Sequence, residues 1–256
     1  MKIKQWAAVA LITAAVSPGT SPLVMAQSSE SSESVMLEEI IVTATKREES
    51  IYDVPIAITA FSQDAIERQG ITDLTDIGKF VPNLNVTGFS AGHTSSVNPF
   101  IRGIGLQDHL ITTDPGVGVY VDGVYLGRQV GQNWSLANIE RVEVLRGPQG
   151  TLYGRNSIGG AINIITRKPG DESGGRVKVY AGTRGRLYGD VYYNAALGES
   201  FAFSATGAWT RRDGVGDFLN LDTSTEVGEI DEWSGRIAAK WTPTEAFSLL
   251  FAYDKN

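Results

Sequence analysis

With 256 residues, of which 42% are hydrophobic and 20% charged, the chain is long enough for one or two folded domains and too apolar for a disordered one. A formal net charge of −7 gives no electrostatic support to a nucleic-acid-binding role. Cysteine is absent, which removes disulfide frameworks, thiol nucleophiles and cysteine-held zinc or iron–sulfur sites.

The chain begins with Met1-Lys-Ile-Lys4, a short positive region, and continues into the apolar run Trp6 to Val16. Val24-Met-Ala26 then supplies small or aliphatic residues around a cleavage position, leaving Gln27 as the expected mature terminus. This is the layout of a secretory signal peptide, with an apolar core too short to span a bilayer. No later stretch is apolar enough for a spanning helix, so any membrane crossing must use strands. Residues 27–34 form a polar Ser/Glu tract, expected to be flexible as part of a segment 27–53. Within it lies Glu38-Glu-Ile-Ile-Val-Thr-Ala-Thr45, a β-branched run with polar flanks and no obvious hairpin partner. Two readings stand side by side: an edge strand of the following domain, or a tethered peptide that adds to another protein's sheet edge.

From residue 54 to 168 the pattern is mixed. Ile56 to Phe61 reads as a strand, Ser62 caps a helix through Arg68, and Asp73 to Phe80 reads as a second short helix stopped by Pro82. Val117 to Val121 and Val124 to Leu126 flank Asp122-Gly123, a strong hairpin signal. Asp122 beside Gly123 is explained by turn chemistry rather than by acid catalysis. Ile139 to Leu145 and Ala161 to Thr166 add two strands, separated by a glycine-dense stretch. Two stretches, 88–99 and 106–116, read as long loops, and long loops in a compact domain tend to be functional.

Beyond Pro169 the composition changes. Phe201, Phe203, Ala205, Gly207 and Trp209 share one face, with Ser204, Thr206 and Thr210 on the other. Trp233, Ile237 and Trp241 oppose Ser234, Arg236 and Lys240, and Phe247, Leu249, Phe251 and Tyr253 alternate with Ser248 and Asp254. Residues 176–179 and 187–195 follow the same rule. Five such segments with aromatics near their ends, tight turns at 198–200 and 243–245 and a long connection at 213–231 fit transmembrane β-barrel strands. A soluble β-sandwich also alternates, and the alternation by itself leaves it open. Five strands cannot close a membrane barrel, so the chain is expected to be the N-terminal part of a longer protein.

The stretch Leu145-Arg-Gly-Pro-Gln-Gly-Thr-Leu-Tyr-Gly-Arg-Asn-Ser-Ile-Gly-Gly-Ala-Ile-Asn-Ile-Ile-Thr-Arg167 closely resembles the end of the plug domain of TonB-dependent outer-membrane receptors. Glu39 to Thr45 resembles their TonB box, Val81-Pro-Asn-Leu84 and Ile101-Arg-Gly103 two plug motifs, and residues 117–127 the plug hairpin. The resemblance implies an α+β plug domain (54–168) followed by antiparallel transmembrane β-barrel strands (174–256), the first of about 22. It also implies TonB-dependent import across the outer membrane of a Gram-negative bacterium. Substrate bound outside would signal to Glu39, Ile40, Ile41, Val42, Thr43, Ala44 and Thr45, on which TonB pulls, driven by ExbB and ExbD. The barrel faces outer-membrane lipid, and the commonest cargo of the family is a ferric siderophore.

Arg102 and Arg146 match family arginines that latch the plug to barrel glutamates; the alternative for each is a solvated surface residue. His93, Phe100, Gln107, Asp108 and His109 fall in or beside the two long loops and are candidate substrate contacts. No cofactor and no metal set is expected: Gly103-Ile-Gly105 lacks the third glycine of a dinucleotide fingerprint, and 150–156 lacks the Lys-Ser/Thr of a phosphate loop. Two histidines and no cysteine leave no convincing hydrolase, so a non-enzymatic role is expected. Only residues 27–37 precede the β-branched run in the mature chain, too few for a folded signalling domain.

Overall fold

The computed structural model describes residues 40–90, 93–107, 112–133, 135–216 and 228–255, with side chains described for all of these except 89–95. The leader and residues 27–39 therefore lie outside the described residues. The β-branched run forms β1 (Ile41–Val42), which pairs antiparallel with β2 (Glu49–Ser50). β3 (Ile58–Ser62) runs directly into α1 (Gln63–Arg68), where the Ser62 hydroxyl accepts from the Ala65 amide at 3.3 Å. α2 (Leu74–Ile77) is capped by Asp73, whose carboxylate accepts from the amides of Thr75 and Asp76 at 2.9 and 3.1 Å. It is shorter than the expected helix to Phe80, because Gly78 follows its last residue and turns carry the chain on to Pro82.

The expected loop 88–99 is corrected by the structure. β4 (Leu84–Ser90), β5 (His93–Ile101) and β6 (Ile104–Gly105) form a three-stranded antiparallel sheet through that region. The polar, glycine-containing sequence shows no alternation, but Val97 and Ile101 are fully buried and anchor the strand by tertiary packing. Over its described residues, 106–116 is irregular.

β7 (Val117–Val121), β8 (Val124–Tyr125), β9 (Ile139–Arg146), α3 (Gly150–Tyr153) and β10 (Gly160–Thr166) complete the domain. Its main sheet has the order β3-β9-β10-β7-β8, with β10 and β7 parallel and the other pairs antiparallel. The β7–β8 turn puts Asp122 at φ 48° and Gly123 at φ 82°, the doubly positive pair its sequence asks for. Both faces of this sheet are covered. Val142, Val144, Ile162, Ile164, Val117 and Val119 pack with α1, α2 and β4–β5 on one side. Leu145, Ala161 and Tyr120 face the other side, where Val42, Ala44 and Val54 of the N-terminal segment cover them.

The glycine-dense stretch is the link from β9 to β10. Gly160 sits at φ 150°, and a Cβ there would lie 2.2 Å from the Leu145 carbonyl oxygen and 2.8 Å from Ile101 Cδ1. Only glycine lets the two strands approach that closely.

β11 (Gly174–Ala181), β12 (Leu187–Leu197), β13 (Phe201–Arg212), β14 (Ile230–Thr244) and β15 (Phe247–Lys255) form an open antiparallel sheet in chain order. Its polarity is the reverse of a soluble sheet. Val177, Val191, Tyr193, Trp233, Ile237, Leu249, Phe251 and Tyr253 are exposed, while Asp190, Asn194, Ser204 and Arg236 are buried facing the α+β domain. A soluble sandwich would bury the apolar face, whereas a lipid-facing strand must expose it.

Charged contacts join this sheet to the α+β domain. Arg236 on β14 lies 3.1 Å from Asp122 and donates to both oxygens of Asp254 at 2.7 and 2.8 Å. Asp122 also accepts from the Thr166 amide at 2.9 Å and its hydroxyl at 2.6 Å, so the hairpin turn doubles as an attachment point. Glu67 on α1 pairs with Arg176 and Lys178 on β11, each at 2.5 Å. Partial burial pushes the Glu67 carboxyl up, but hydrogen bonds from Lys178 and Gln63 and the charge of Arg176 outweigh it, and its pKa lies below the ordinary value.

Three outcomes follow from this packing. Gly160→Ala should destabilise the domain by about 3 kcal/mol or more, whereas Gly150→Ala, with open space and no positive φ, should stay within about 1 kcal/mol; denaturant melts of the two variants check this. Arg236→Ala leaves Asp122 and Asp254 without their cation and should cost about 3 kcal/mol by the same measurement. The depressed Glu67 pKa stabilises above the unfolded value and that contribution disappears as pH falls through the folded one. Protease resistance should therefore decline below about pH 4, and Glu67→Gln should flatten that decline.

Candidate functional site

The N-terminal β-prone segment lies against the α+β domain. Among the described residues β1 pairs only with β2 and is not woven into the sheet β3-β9-β10-β7-β8, yet it is packed onto that sheet's second face. Val42 and Ala44 are fully buried, Ile40 packs at the edge of the same cluster, and Ile41 points outward at 42% exposure. Period-two alternation gave this run an inward face, and it covers the second face of the sheet with it. Glu39 lies outside the described residues.

Between Val42 and Ala44, Thr43 points its polar groups at Glu143, at the centre of β9 and fully buried. The Thr43 amide donates to Glu143 Oε1 at 2.7 Å and its hydroxyl lies 3.1 and 3.3 Å from the two carboxylate oxygens. Arg141 Nε donates to Oε1 at 2.9 Å and Asn163 Nδ2 to Oε2 at 3.3 Å. Alternation explains the cluster. Arg141, Glu143 and Leu145 share one face of β9 while Val142 and Val144 take the other, and Asn163 is registered opposite Glu143 on β10.

The segment then turns away. Lys46 sits at φ 65° and its amide donates to the Thr43 carbonyl at 2.9 Å, closing a tight turn. Its ammonium lies 4.0 Å from the Tyr153 ring centroid and 5.6 Å from that of Tyr120, a cation–π contact at the end of the docked run. Tyr120 donates its hydroxyl to the Tyr153 carbonyl at 2.6 Å. Burial, with the neighbouring Glu143 charge and Tyr120 behind it, pushes the Tyr153 phenol well above its usual range, so the ring is neutral. Thr45 closes the hairpin by donating to Glu49 Oε2 at 3.0 Å. Glu143, Arg141, Asn163, Lys46 and Tyr153 were not singled out from the sequence. The one signal for Glu143 was an acid in the middle of an apolar, β-branched strand.

Arg102 and Arg146 come together beside Gly147. Arg102 occupies the tight β5–β6 turn at φ 53°, and its Nη1 lies 3.4 Å from where a Gly147 Cβ would sit. Arg146 reaches the Pro82 carbonyl at 3.5 Å, and among the described residues its buried Nε has no acceptor. No ion pair of either arginine occurs among the described residues, where the ion pairs between the α+β domain and the β11–β15 sheet are instead those of Arg236, Arg176 and Lys178. Of the candidate substrate contacts, Phe100 is half-buried against Gly105, and Gln107 is exposed. The His93 side chain, Asp108 and His109 lie outside the described residues. No group of three His, Asp or Glu side chains able to hold a metal occurs among the described residues.

A cleft of about 500 Å³ separates α2 from β13 and β14, lined by Asp73, Asp76, Lys79, Arg212 and Glu232. Its two plug-side carboxylates are already engaged: Asp73 caps α2, and Asp76 accepts from Lys79 at 2.6 Å and from Thr72. Burial and the neighbouring Asp76 charge push the Asp73 carboxyl up. At Asp76 burial acts the same way, but the bonds from Lys79 and Thr72 outweigh it and hold its pKa down.

Comparison with known proteins places this geometry. Residues 50–161 match the TonB-dependent receptor plug domain. The chain is 34% identical over 186 residues to an iron-regulated outer membrane virulence protein of Vibrio cholerae, covering 69% of this chain and 28% of that protein. It is 27% identical over 235 residues to a vitamin B12 transporter of Vibrio vulnificus, covering 86% of this chain and 36% of that protein. Among solved structures it resembles the ferric yersiniabactin uptake receptor FyuA of Yersinia pestis, at 24% identity and a TM-score of 0.65, over 78% of this chain and 31% of the other. It thus spans about a third of the length of such relatives. A two-faced plug sheet, a docked β-prone segment ahead of it and lipid-type strands behind it agree with these matches: the chain belongs to the family of TonB-dependent outer-membrane receptors.

Proposed function

We propose that the chain supplies the plug and first wall strands of a receptor that actively imports a scarce, large substrate across the outer membrane. Residues 39–45 are the segment engaged by TonB, with ExbB and ExbD coupling it to the proton-motive force. The observation that carries this reading is the state of the segment itself. Its described part, residues 40–45, is β-prone and docked on the plug, but among the described residues it pairs only with β2 and belongs to no larger sheet. Such a strand can be handed to another protein's sheet edge without dismantling the plug's own ladder. The exposed apolar face of β11–β15 supports a place in lipid and speaks against a soluble binding module.

For cargo we propose a ferric siderophore. FyuA is a receptor for ferric yersiniabactin, and the Vibrio vulnificus relative is a vitamin B12 transporter, so support for the iron reading comes from the first and an alternative from the second. Arg102 and Arg146 remain proposed latch residues, their unspent guanidinium donors suiting carboxylates on wall strands beyond β15. Under iron limitation, a strain lacking the full-length receptor should lose uptake of its labelled ferric siderophore. Unchanged uptake would count against the iron reading.

Proline at Ile41 tests the partner. Ile41 is exposed and outside the packed face, so Ile41→Pro should remove a main-chain donor and abolish uptake while leaving receptor level and substrate binding near those of the parent. Ile41→Ala should keep most of the uptake. Val42→Pro should in addition loosen the plug, because Val42 is fully buried. Binding and uptake measured on the same full-length variants decide it: normal uptake with Ile41→Pro, or equal loss of binding and uptake, would reject the assignment.

A further inference from the structure

We propose that Glu143 is a positioning residue that pins the register in which residues 41–45 rest on the plug. The inference rests on the reading of that segment as the partner-binding strand, and adds what holds it in place.

Two kinds of contact hold the segment. Val42 and Ala44 supply non-directional burial, which any two alternate apolar residues could supply in several registers. Ile40, Val42 and Ala44 share one face and Ile41 gives the other an apolar residue as well, so apolar burial alone does not fix the register. Glu143 is different. It is a carboxylate with no exposed surface, and it needs donors at fixed positions. Arg141 and Asn163 provide two, and the Thr43 amide at 2.7 Å, the shortest of its contacts, provides a third with the hydroxyl beside it. A slip by one residue would turn the segment over and set an apolar side chain against the acid. That leaves a buried charge short of a donor, which the hydrophobic contacts cannot offset.

The same arrangement makes release reversible. When the segment leaves, Glu143 and its partner Arg141 gain access to water, which replaces the lost donor. The docked state is thus specific in register without being deep in energy, as a segment that must be handed over requires.

The test measures exposure of the segment in the full-length receptor in isolated outer membranes. Val42→Cys places a smaller thiol at a fully buried position, and this chain brings no competing cysteine. Its alkylation by N-ethylmaleimide reports how often the segment opens. Val97→Cys, fully buried in the other core, reports general opening of the plug. Glu143→Gln should speed alkylation at residue 42 by roughly tenfold or more, the scale of a hydrogen bond to a charged group, with residue 97 still protected. Thr43→Val, which keeps the amide and loses the hydroxyl, should give a smaller increase, and Thr43→Ser should restore the parent rate.

An unchanged rate at residue 42 in Glu143→Gln overturns the proposal, as does a parent in which residue 42 already reacts freely. If Glu143→Gln exposes residue 97 as well, Thr43→Val decides. Faster alkylation at 42 with 97 protected supports the pin, and no change overturns it. None of these readouts needs TonB, ExbB or a siderophore. A failure of the import reading therefore appears in the uptake measurements and leaves the alkylation result intact.

Discussion

A sheet covered on both faces leaves no place for an unpaired charge, and β9 carries Glu143 at its middle with no exposed surface. Much of the N-terminal architecture answers that constraint. Arg141 two residues away and Asn163 on the neighbouring strand supply donors, but neither closes the face. The N-terminal segment does, with Thr43 on the carboxylate and Val42 and Ala44 over Leu145 and Ala161. The plug's second core is therefore built partly from residues that, on the proposed function, it must be able to release.

The five membrane-type strands obey the opposite rule. Neighbouring strands satisfy the backbone of β12–β14 along the sheet, and the apolar side chains point away from the protein, because lipid rather than a second layer is their solvent. Polar side chains consequently point inward, and that is what makes them available to the plug. Arg236 meets the Asp122 turn, and Arg176 and Lys178 meet Glu67 on α1. The plug is held to the wall by charged contacts, whereas its own main core is held by aliphatic packing. Breaking the first set need not unravel the second.

Asp122 shows how one residue can carry two explanations. Turn chemistry accounts for its positive φ beside Gly123, and the sequence reading stopped there. Its carboxylate then accepts from Thr166 and from Arg236, a use that depends on β10 and β14 arriving at the same point from distant parts of the chain. Local chemistry fixed the backbone, and long-range packing decided what the side chain does.

By itself the sequence determined the elements whose signal is local. The Ser62 and Asp73 caps, the Asp122-Gly123 turn and the alternation of the five C-terminal strands all rest on backbone sterics or on period-two patterning, which neighbouring residues carry. Tertiary structure alone decided the rest. It turned the described residues of 88–99 from an expected loop into strands, because Val97 and Ile101 found a core that the polar sequence around them did not announce. It chose the exposed face of β11–β15, since alternation is symmetric and does not say which side meets solvent, protein or lipid. And it docked Thr43 on Glu143, residues a hundred positions apart, a contact no local pattern encodes because it exists only once β9 is buried and its last uncovered face needs a donor.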